Sequence, residues 1–267
     1  MTRHSIITGG SSGIGKAIAL ELAREGSHVS IVARDEARLA VAKAEIEAAR
    51  RFADQEVLAL SVDVSDRAAV IQTMAAAIDQ LGRPHQLITC AGVARPGHFQ
   101  ELSAEIFERA MSVNYFGTLY CIQAVLPSMQ AVQAGQICLV SSGAGLLGLY
   151  GYSAYGASKF AVRGLAESLR AELKPEGIQV AIAYPPDTDT PQLLAENKTK
   201  PAATKEITAT AKLWQPEAVA TVVLQGMEKG KFVISPGLEI SVLTRLHSLI
   251  LPLLNRYFDR IVSRYPR

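Results

Sequence analysis

The chain has 267 residues, 49% of them hydrophobic and 19% charged, and its 27 basic and 25 acidic residues leave a formal net charge of +2. This apolar content supports one large folded domain and excludes wholesale disorder, while the near-neutral charge gives no reason to expect nucleic acid as a partner. Five scattered histidines and three cysteines without a CxxC pair argue against a dedicated metal site, and we expect no metal.

Short apolar runs alternate with longer amphipathic patterns along the chain, which is typical of βαβ units. The apolar runs are nearly continuous in Ile, Val, Leu and Ala, as expected of parallel strands buried on both faces. We predict an α/β fold with a doubly wound, mostly parallel, seven-stranded Rossmann-type sheet in a single domain, followed by an amphipathic C-terminal helical tail. The predicted strands are His4–Thr8, His28–Ala33, Val57–Val62, Gln86–Cys90, Gln136–Ser141, Gln179–Tyr184 and Phe232–Ser235. The predicted helices are Gly13–Glu25, Glu36–Arg51, Arg67–Leu81, Ala104–Met129, Tyr155–Leu173 and Pro216–Met227.

One polar segment, Pro185–Leu213, interrupts this alternation and is too long for an ordinary connection between a strand and a helix. Because it leaves the carboxyl edge of a strand, we interpret it as a lid over an active site, and a mobile surface loop is the alternative. We place the main domain at residues 1–237, including this lid at 185–213, and the tail at residues 238–267.

A glycine-rich segment, residues 8–15, follows the first predicted strand and precedes a helix. Glycines let the backbone approach a pyrophosphate, and the helix N-terminus offers it free N–H groups and a positive dipole end. A tight turn without a ligand is the alternative, but the strand–loop–helix context favours a dinucleotide site. The residues assigned to the phosphate cradle are Gly9, Ser11, Ser12, Gly13, Ile14 and Gly15.

The end of the second predicted strand indicates which nicotinamide cofactor binds. An acidic residue there would accept hydrogen bonds from the ribose 2′-OH, whereas this chain has Arg34, with Arg38 one helical turn further along. Two guanidinium groups suit a 2′-phosphate, so we predict NADPH rather than NADH. Ordinary surface charges are the alternative, for which Asp35 argues. Further cofactor contacts are assigned to Asp63, Val64, Ala91, Gly92, Tyr155, Lys159, Pro185, Thr188 and Thr190.

The candidate catalytic residues begin with Tyr155 and Lys159, whose i, i+4 spacing places a phenol and an ammonium on one helix face. The ammonium is expected to lower the tyrosine pKa from about 10 toward the working range. Ser142 closes the fifth predicted strand, and Asn114 falls inside the fourth helical pattern. Each residue has an ordinary structural reading, as a surface pair, a strand-end serine or a helix-face asparagine. Their occurrence together behind a phosphate loop favours catalysis.

These motifs resemble the short-chain dehydrogenase/reductase superfamily over residues 4 to 235. The resemblance implies that Tyr155 gives a proton to a ketone oxygen while the nicotinamide delivers hydride, that Lys159 lowers the tyrosine pKa and binds the ribose, and that Ser142 orients the carbonyl. It also implies that Asn114 holds a relay water and that the protein is a homo-oligomer. The chain departs from the superfamily pattern at residues 89–92, where Thr-Cys-Ala-Gly replaces Asn-Asn-Ala-Gly, and at Pro186, where glycine is usual.

The segments 183–191 and 196–201, with residues 163–167 and 107–109, resemble more narrowly the 3-ketodihydrosphingosine reductases. That family reduces the 3-keto group of a long-chain amino ketone with NADPH in sphingolipid biosynthesis. The alternatives are a reductase of another lipid-like or acyl ketone and a non-catalytic NADPH-binding scaffold. The resemblance assigns cofactor contacts to Gly9, Ser11, Ser12, Gly13, Arg34, Arg38 and Asp63.

Support for a lipid substrate from the residues themselves is limited. The apolar run 146–150 is either a rim beside the carbonyl site or core packing. Asp187, Asp189 and Glu196 are candidates to meet a substrate ammonium, although aspartates in a turn commonly accept backbone hydrogen bonds instead.

The tail, Leu238–Arg267, combines leucines at helical spacing with five arginines. This composition suits a helix lying in a membrane interface, and packing on the domain or across a dimer is the alternative. Pro252 is expected to kink the helix or to begin a new one. The chain opens directly into a predicted strand and has no uncharged run of about 20 residues. We therefore expect no signal peptide, and a cytoplasmic protein that is peripheral on the cytoplasmic face of a membrane.

Overall fold

A computed structural model of the protein describes residues 3–209 and 212–265 and contains one sheet of seven parallel strands. The strand order is β3-β2-β1-β4-β5-β6-β7, so the direction of winding reverses between β1 and β4, where α/β folds bind their ligands. The predicted doubly wound sheet is confirmed, and strand ends differ from prediction by at most one or two residues. The strands are β1 (His4–Thr8), β2 (His28–Ala33), β3 (Val57–Ser61), β4 (Gln86–Thr89), β5 (Gly135–Val140), β6 (Ile178–Ala183) and β7 (Val233–Ile234).

Helices cover both faces of the sheet, and the predicted ones are present with small shifts at their ends. The helices are α1 (Gly13–Arg24), α2 (Glu36–Ala48), α3 (Arg67–Leu81), α4 (Ala104–Ala110), α5 (Gly117–Gln130), α6 (Ser153–Leu173), α7 (Pro191–Asn197), α8 (Ala202–Thr208), α9 (Pro216–Glu228) and α10 (Leu238–Val262).

The fourth helical pattern, predicted as one helix over Ala104–Met129, is divided. A wider π-helical turn, Met111–Phe116, joins α4 to α5. The segment 185–213 also differs from a simple loop, because α7 and α8 lie within it. In the tail a single helix includes Pro252, so no new helix begins there.

The core lies on both sides of the sheet, which explains the continuous apolar strands. In β1, Ile6 packs into the cluster beneath α3, α5 and α6, and the next residue, Ile7, packs into the cluster beneath α1, α2 and α9. Both side chains are fully buried. Burying each side chain contributes roughly 1.5–3 kcal/mol to the free energy of folding. Packing on both faces of the strand therefore stabilises the sheet between its two layers of helices.

Candidate active site

The glycine-rich turn between β1 and α1 is shaped by two glycines with positive φ. Gly9 has φ +69°, and a Cβ there would lie 2.8 Å from the backbone nitrogen of Ala91. Gly13 has φ +53°, and a Cβ there would lie 2.9 Å from Cγ2 of Thr190. Because α1 begins at Gly13, its first N–H groups have no partner within the helix. This backbone fits a pyrophosphate, as the sequence predicts.

The predicted 2′-phosphate contacts lie at the carboxyl end of β2. The Arg34 guanidinium is 3.8 Å from Asp63, and Nε of Arg38 is 3.3 Å from Asp35. Asp35 also accepts a hydrogen bond from the Arg38 backbone and caps α2. The two arginine side chains are 55% and 62% exposed, which leaves both guanidinium groups accessible to an anion.

Asp63 is held by a residue that the sequence reasoning missed. Nη2 of Arg109, on α4, donates to Asp63 at 2.8 Å, and Nη1 donates to the Ser65 hydroxyl at 2.9 Å. Burial alone would raise the pKa of the Asp63 carboxyl, but hydrogen bonds from the Ser65 backbone and from Arg109 outweigh it and lower the pKa to about 2. A charged, fixed carboxylate therefore stands beside Arg34.

Three predicted catalytic side chains meet above the carboxyl end of β5. Ser142 follows the end of β5, and Tyr155 and Lys159 lie on one face of α6. The side chains of Ser142 and Gln192 lie close enough to the Tyr155 hydroxyl to act on its pKa. The ammonium of Lys159 donates to the carbonyl of Val140 at 2.9 Å and lies 5.7 Å from the Tyr155 ring centre.

Burial sets the protonation of this pair. It raises the pKa of Tyr155 above its usual value, the Glu196 carboxylate raises it further, and hydrogen bonds from Ser142 and Gln192 oppose both. Burial also lowers the pKa of Lys159 to about 8, against the opposing effects of Cys90 and Glu196. The net shift of the Tyr155 pKa is therefore upward because burial dominates, and the lowering effect expected of Lys159 stays a prediction. The raised pKa keeps the phenol in the protonated form that a donor requires, and it also makes the phenol a weaker acid.

Asn114 lies in the π-helical turn, fully buried. Its Oδ1 accepts from the Val93 backbone at 2.8 Å, and its Nδ2 donates to the Val93 carbonyl at 3.0 Å and to Oγ of Ser158 at 2.8 Å. The side chain therefore fixes the segment after β4 against α6. Its role in holding a relay water stays a prediction.

A cavity of about 700 Å³ connects the phosphate turn to the catalytic side chains and continues toward α10. We call its part beside Gly9 and Gly13 the phosphate end, and its part beside Leu243, Ile250 and Leu254 the chain end. Gly92 lies in the wall near Lys159, where a Cβ would make an ordinary van der Waals contact of 3.6 Å with Nζ. The predicted site residues in the cavity wall are Gly9, Ser12, Gly13, Ile14, Gly15, Ala91, Gly92, Ser142, Tyr155, Lys159, Pro185, Thr188 and Thr190.

The other predicted contacts lie away from this wall. Ser11 is in the phosphate turn, and Arg34, Arg38 and Asp63 lie along the ends of β2 and β3. The Val64 side chain is buried in the core, where it would meet a Cβ on Gly117 at 2.7 Å. Val64 therefore offers a cofactor its backbone rather than its side chain.

The insertion and the tail both line the cavity. Gln192 and Glu196 of α7, Ile207 of α8 and a row of α10 side chains form its far wall. Of these residues the sequence predicts a role only for Glu196, as a candidate to meet a substrate ammonium, and the amphipathic spacing of α10 is the other sequence signal. The α10 residues in the wall are Leu238, Glu239, Ile240, Val242, Leu243, Ile250, Leu254, Tyr257 and Phe258.

The end of α10 is attached to α8. Ile261 packs in a small apolar cluster with Ala203 and Ile207. Beyond the helix, Arg264 donates to Glu206 at 2.6 Å, and the Tyr265 hydroxyl donates to the same carboxylate at 2.7 Å. The tail thus packs on the domain along one face. No helix within the described ranges has the length and apolar character needed to cross a membrane.

Comparison with known proteins gives a consistent pattern. The family model described as short chain dehydrogenase matches residues 3–201. The chain is 47% identical over 235 residues to a 3-dehydrosphinganine reductase of Danio rerio, covering 88% of this chain and 71% of that protein. It is 38% identical over 275 residues to a 3-ketodihydrosphingosine reductase of Dictyostelium discoideum, covering 98% of this chain and 82% of the relative.

Solved structures of similar fold include cofactor complexes. A short chain dehydrogenase/reductase from Burkholderia phymatum in complex with NAD has a TM-score of 0.82 and 27% identity, covering 94% of this chain and 95% of the other. A short-chain dehydrogenase from Sphingobium yanoikuyae in complex with NADPH has a TM-score of 0.79 and 28% identity, covering 95% of both chains.

Proposed function

The chain belongs to the short-chain dehydrogenase family, and we propose that it reduces the 3-keto group of 3-ketodihydrosphingosine to dihydrosphingosine with NADPH. The observation that carries this proposal is the meeting of Ser142, Tyr155 and Lys159 in the wall of a cavity that continues into an apolar chain end. Relatives with 38–47% identity over 88% or more of this chain carry the corresponding reductase names.

The catalytic side chains perform the proton part of the reaction. Ser142 orients the ketone oxygen by hydrogen bonding, and Tyr155, which carries the transferable proton, donates that proton to the same oxygen. Lys159, fixed by the Val140 carbonyl, holds its ammonium beneath the site. A reduced nicotinamide, when bound, supplies the hydride to the carbonyl carbon. Donors at the oxygen stabilise the charge that develops there.

The choice of NADPH rests on Arg34 and Arg38. Both guanidinium groups are more than half exposed at the end of β2, the edge at which this fold places the ribose of the adenosine. A 2′-phosphate there gains charge-assisted hydrogen bonds. Asp63 lies 3.8 Å from Arg34 but is also bound at 2.8 Å by Arg109, so Arg34 is not required to neutralise it.

The substrate assignment is tested with purified protein, NADPH and 3-ketodihydrosphingosine in detergent micelles. We expect NADPH oxidation and a product with the mass of dihydrosphingosine. A panel with a steroid ketone and an acyl thioester ketone serves as the control. Turnover of either control at the rate of the amino ketone, or no turnover of the amino ketone, would exclude the proposed substrate.

We further propose that the outer face of α10 holds the enzyme on the cytoplasmic surface of a membrane. Leu246, Leu249 and Leu253 are 44%, 76% and 65% exposed, and they share a face because of their spacing along the helix. Arginines on the same helix, including Arg245 and Arg256, suit anionic headgroups. Since the inner face of α10 lines the cavity, a lipid substrate would pass from the bilayer into the chain end.

A further inference from the structure

Glu196 is a buried carboxylate in the cavity wall. Only 7% of the residue is exposed, although it lies on α7 within the polar insertion. Its Oε2 accepts a hydrogen bond from the Tyr152 hydroxyl at 2.6 Å, and its Oε1 accepts one from Nε2 of Gln192 at 2.9 Å. Both oxygens therefore act as acceptors of neutral donors, which is the arrangement of a deprotonated carboxylate.

Among the described residues no ion pair within 4.0 Å includes Glu196, and its carboxylate acts on the Lys159 ammonium only at longer range. The nearby ammonium of Lys200 is 3.6 Å from Asp187 instead. Lys159 donates to the Val140 carbonyl. Burying a carboxylate is costly unless a cation or strong hydrogen bonds compensate it, so this site favours a positively charged ligand.

Glu196 also lies close to the reacting end of the cavity. The Gln192 side chain donates to Glu196, and both Gln192 and Glu196 act on the pKa of the Tyr155 hydroxyl, so the carboxylate lies near the proton donor. In a long-chain 2-amino-3-ketone the ammonium is on the carbon next to the carbonyl. A ketone oxygen at Tyr155 therefore brings the ammonium into the region that separates Tyr155 from Glu196.

We propose that Glu196 binds the substrate ammonium and so selects amino ketones over neutral ketones. This inference rests on the proposed function. The hydrocarbon chain then extends toward the chain end beneath α10, where the wall is apolar. Tyr152 and Gln192 hold the Glu196 carboxylate in position by hydrogen bonding. When the substrate ammonium binds, the Gln192 side chain either turns toward it or moves aside.

The other acidic candidates fit this role less well. Asp187 is in the cavity wall, but Lys200, whose side chain is 2% exposed, already compensates its charge. Asp189 is an exposed residue, and its backbone nitrogen donates to the Trp214 carbonyl. Glu196 alone of these three combines burial, a place in the wall and a carboxylate outside the ion pairs of the described residues.

The test compares the turnover of 3-ketodihydrosphingosine with that of the same long-chain ketone lacking the amino group, in the same micelles. The readout is the ratio of kcat/KM for the two ketones. For wild type we expect a strong preference for the amino ketone, and for Glu196→Gln we expect this ratio to fall about a hundredfold. Glu196→Asp, which keeps the charge, is expected to retain most of the preference.

Asp187→Asn is the matched control, since it removes the neighbouring acidic charge from the same wall. It is expected to leave the ratio nearly unchanged. A collapse of the ratio in Asp187→Asn but not in Glu196→Gln would place the ammonium at Asp187 and overturn the proposal. An unchanged ratio in Glu196→Gln, or a wild-type enzyme that reduces both ketones equally well, would overturn it while leaving the reductase function intact. Failure of wild type to reduce either ketone would instead reject the reductase function itself.

Inhibition of wild type gives a second measurement that needs no variant. A long-chain primary amine is expected to inhibit at least about tenfold more strongly than the alcohol of the same length, because only the amine carries a cation to Glu196. Equal inhibition by the amine and the alcohol would contradict the proposal.

Discussion

The phosphate end and the chain end of the cavity differ in which atoms of the protein form their surface. At the phosphate end the backbone forms the surface: Gly9 and Gly13 have positive φ, and α1 presents its first N–H groups. At the chain end side chains form the surface, and they come from α7, α8 and α10. Close backbone approach tolerates almost no added atom, whereas an apolar wall tolerates exchanges of similar volume. We therefore expect the phosphate end to determine the class of cofactor and the chain end to determine the substrate.

The catalytic residues lie where the two ends meet, and the largest effect is expected there. Tyr155→Phe should lower turnover by roughly 10³-fold, because only the transferable proton is removed. Affinity for NADPH, measured by fluorescence titration, should stay nearly unchanged. The control is Tyr120→Phe, the same substitution at a tyrosine of α5 that stacks on Phe116, and this variant should retain turnover. More than a few per cent of wild-type turnover in Tyr155→Phe would refute the proton-donor role.

The cofactor edge provides the next largest effect. Replacing Arg34 and Arg38 together by Gln should weaken NADPH binding by about 2–3 kcal/mol, or roughly 30- to 150-fold, and NADH binding far less. The measurement is the Kd of each cofactor by titration. Arg24→Gln, on the exposed end of α1, removes a guanidinium from the same face of the sheet and serves as the control. Equal losses for NADPH and NADH would show that the 2′-phosphate binds elsewhere.

The backbone character of the phosphate end predicts a smaller but specific effect. Gly9→Ala should weaken NADPH binding about tenfold, because its Cβ would lie 2.8 Å from the Ala91 nitrogen at a positive φ. Gly82 has a similar φ of +76°, but a Cβ there would meet nothing within 4 Å. Gly82→Ala should therefore lower the free energy of unfolding by about 1 kcal/mol without weakening the binding of the cofactor. Denaturant unfolding and titration separate the two effects, and equal cofactor affinities in both variants would contradict the steric argument.

The smallest effect concerns the outer face of α10. The double variant Leu249→Gln and Leu253→Gln should reduce binding to anionic vesicles several-fold in a flotation assay, because it removes exposed apolar surface. Val41→Gln, on α2 with 61% exposure, is the matched control and should float like wild type. Wild-type protein that does not float with anionic vesicles would reject membrane docking altogether.

The two ends also differ in how far the sequence predicts them. The phosphate turn and the Tyr155/Lys159 pair are local patterns, so spacing alone predicts both. Glu196 and Gln192 acquire their places only when α7 folds back against α6, and no local pattern encodes that contact. The upward shift of the Tyr155 pKa depends on burial by distant residues, which the local Tyr155/Lys159 spacing cannot show. Arg109 reaches Asp63 across the chain, which spacing cannot show.

The π-helical turn at Met111–Phe116 has a consequence for which changes the chain tolerates. Such a turn holds one more residue than an α-helical turn and so rotates α5 by about 100° relative to a continuous helix on α4. This rotation points the Asn114 side chain toward Val93 and keeps the apolar side of α5 against the core. Deleting one residue here would turn every α5 side chain onto a different face. We therefore expect a one-residue change in length here to be more disruptive than substitution of the exposed Phe116.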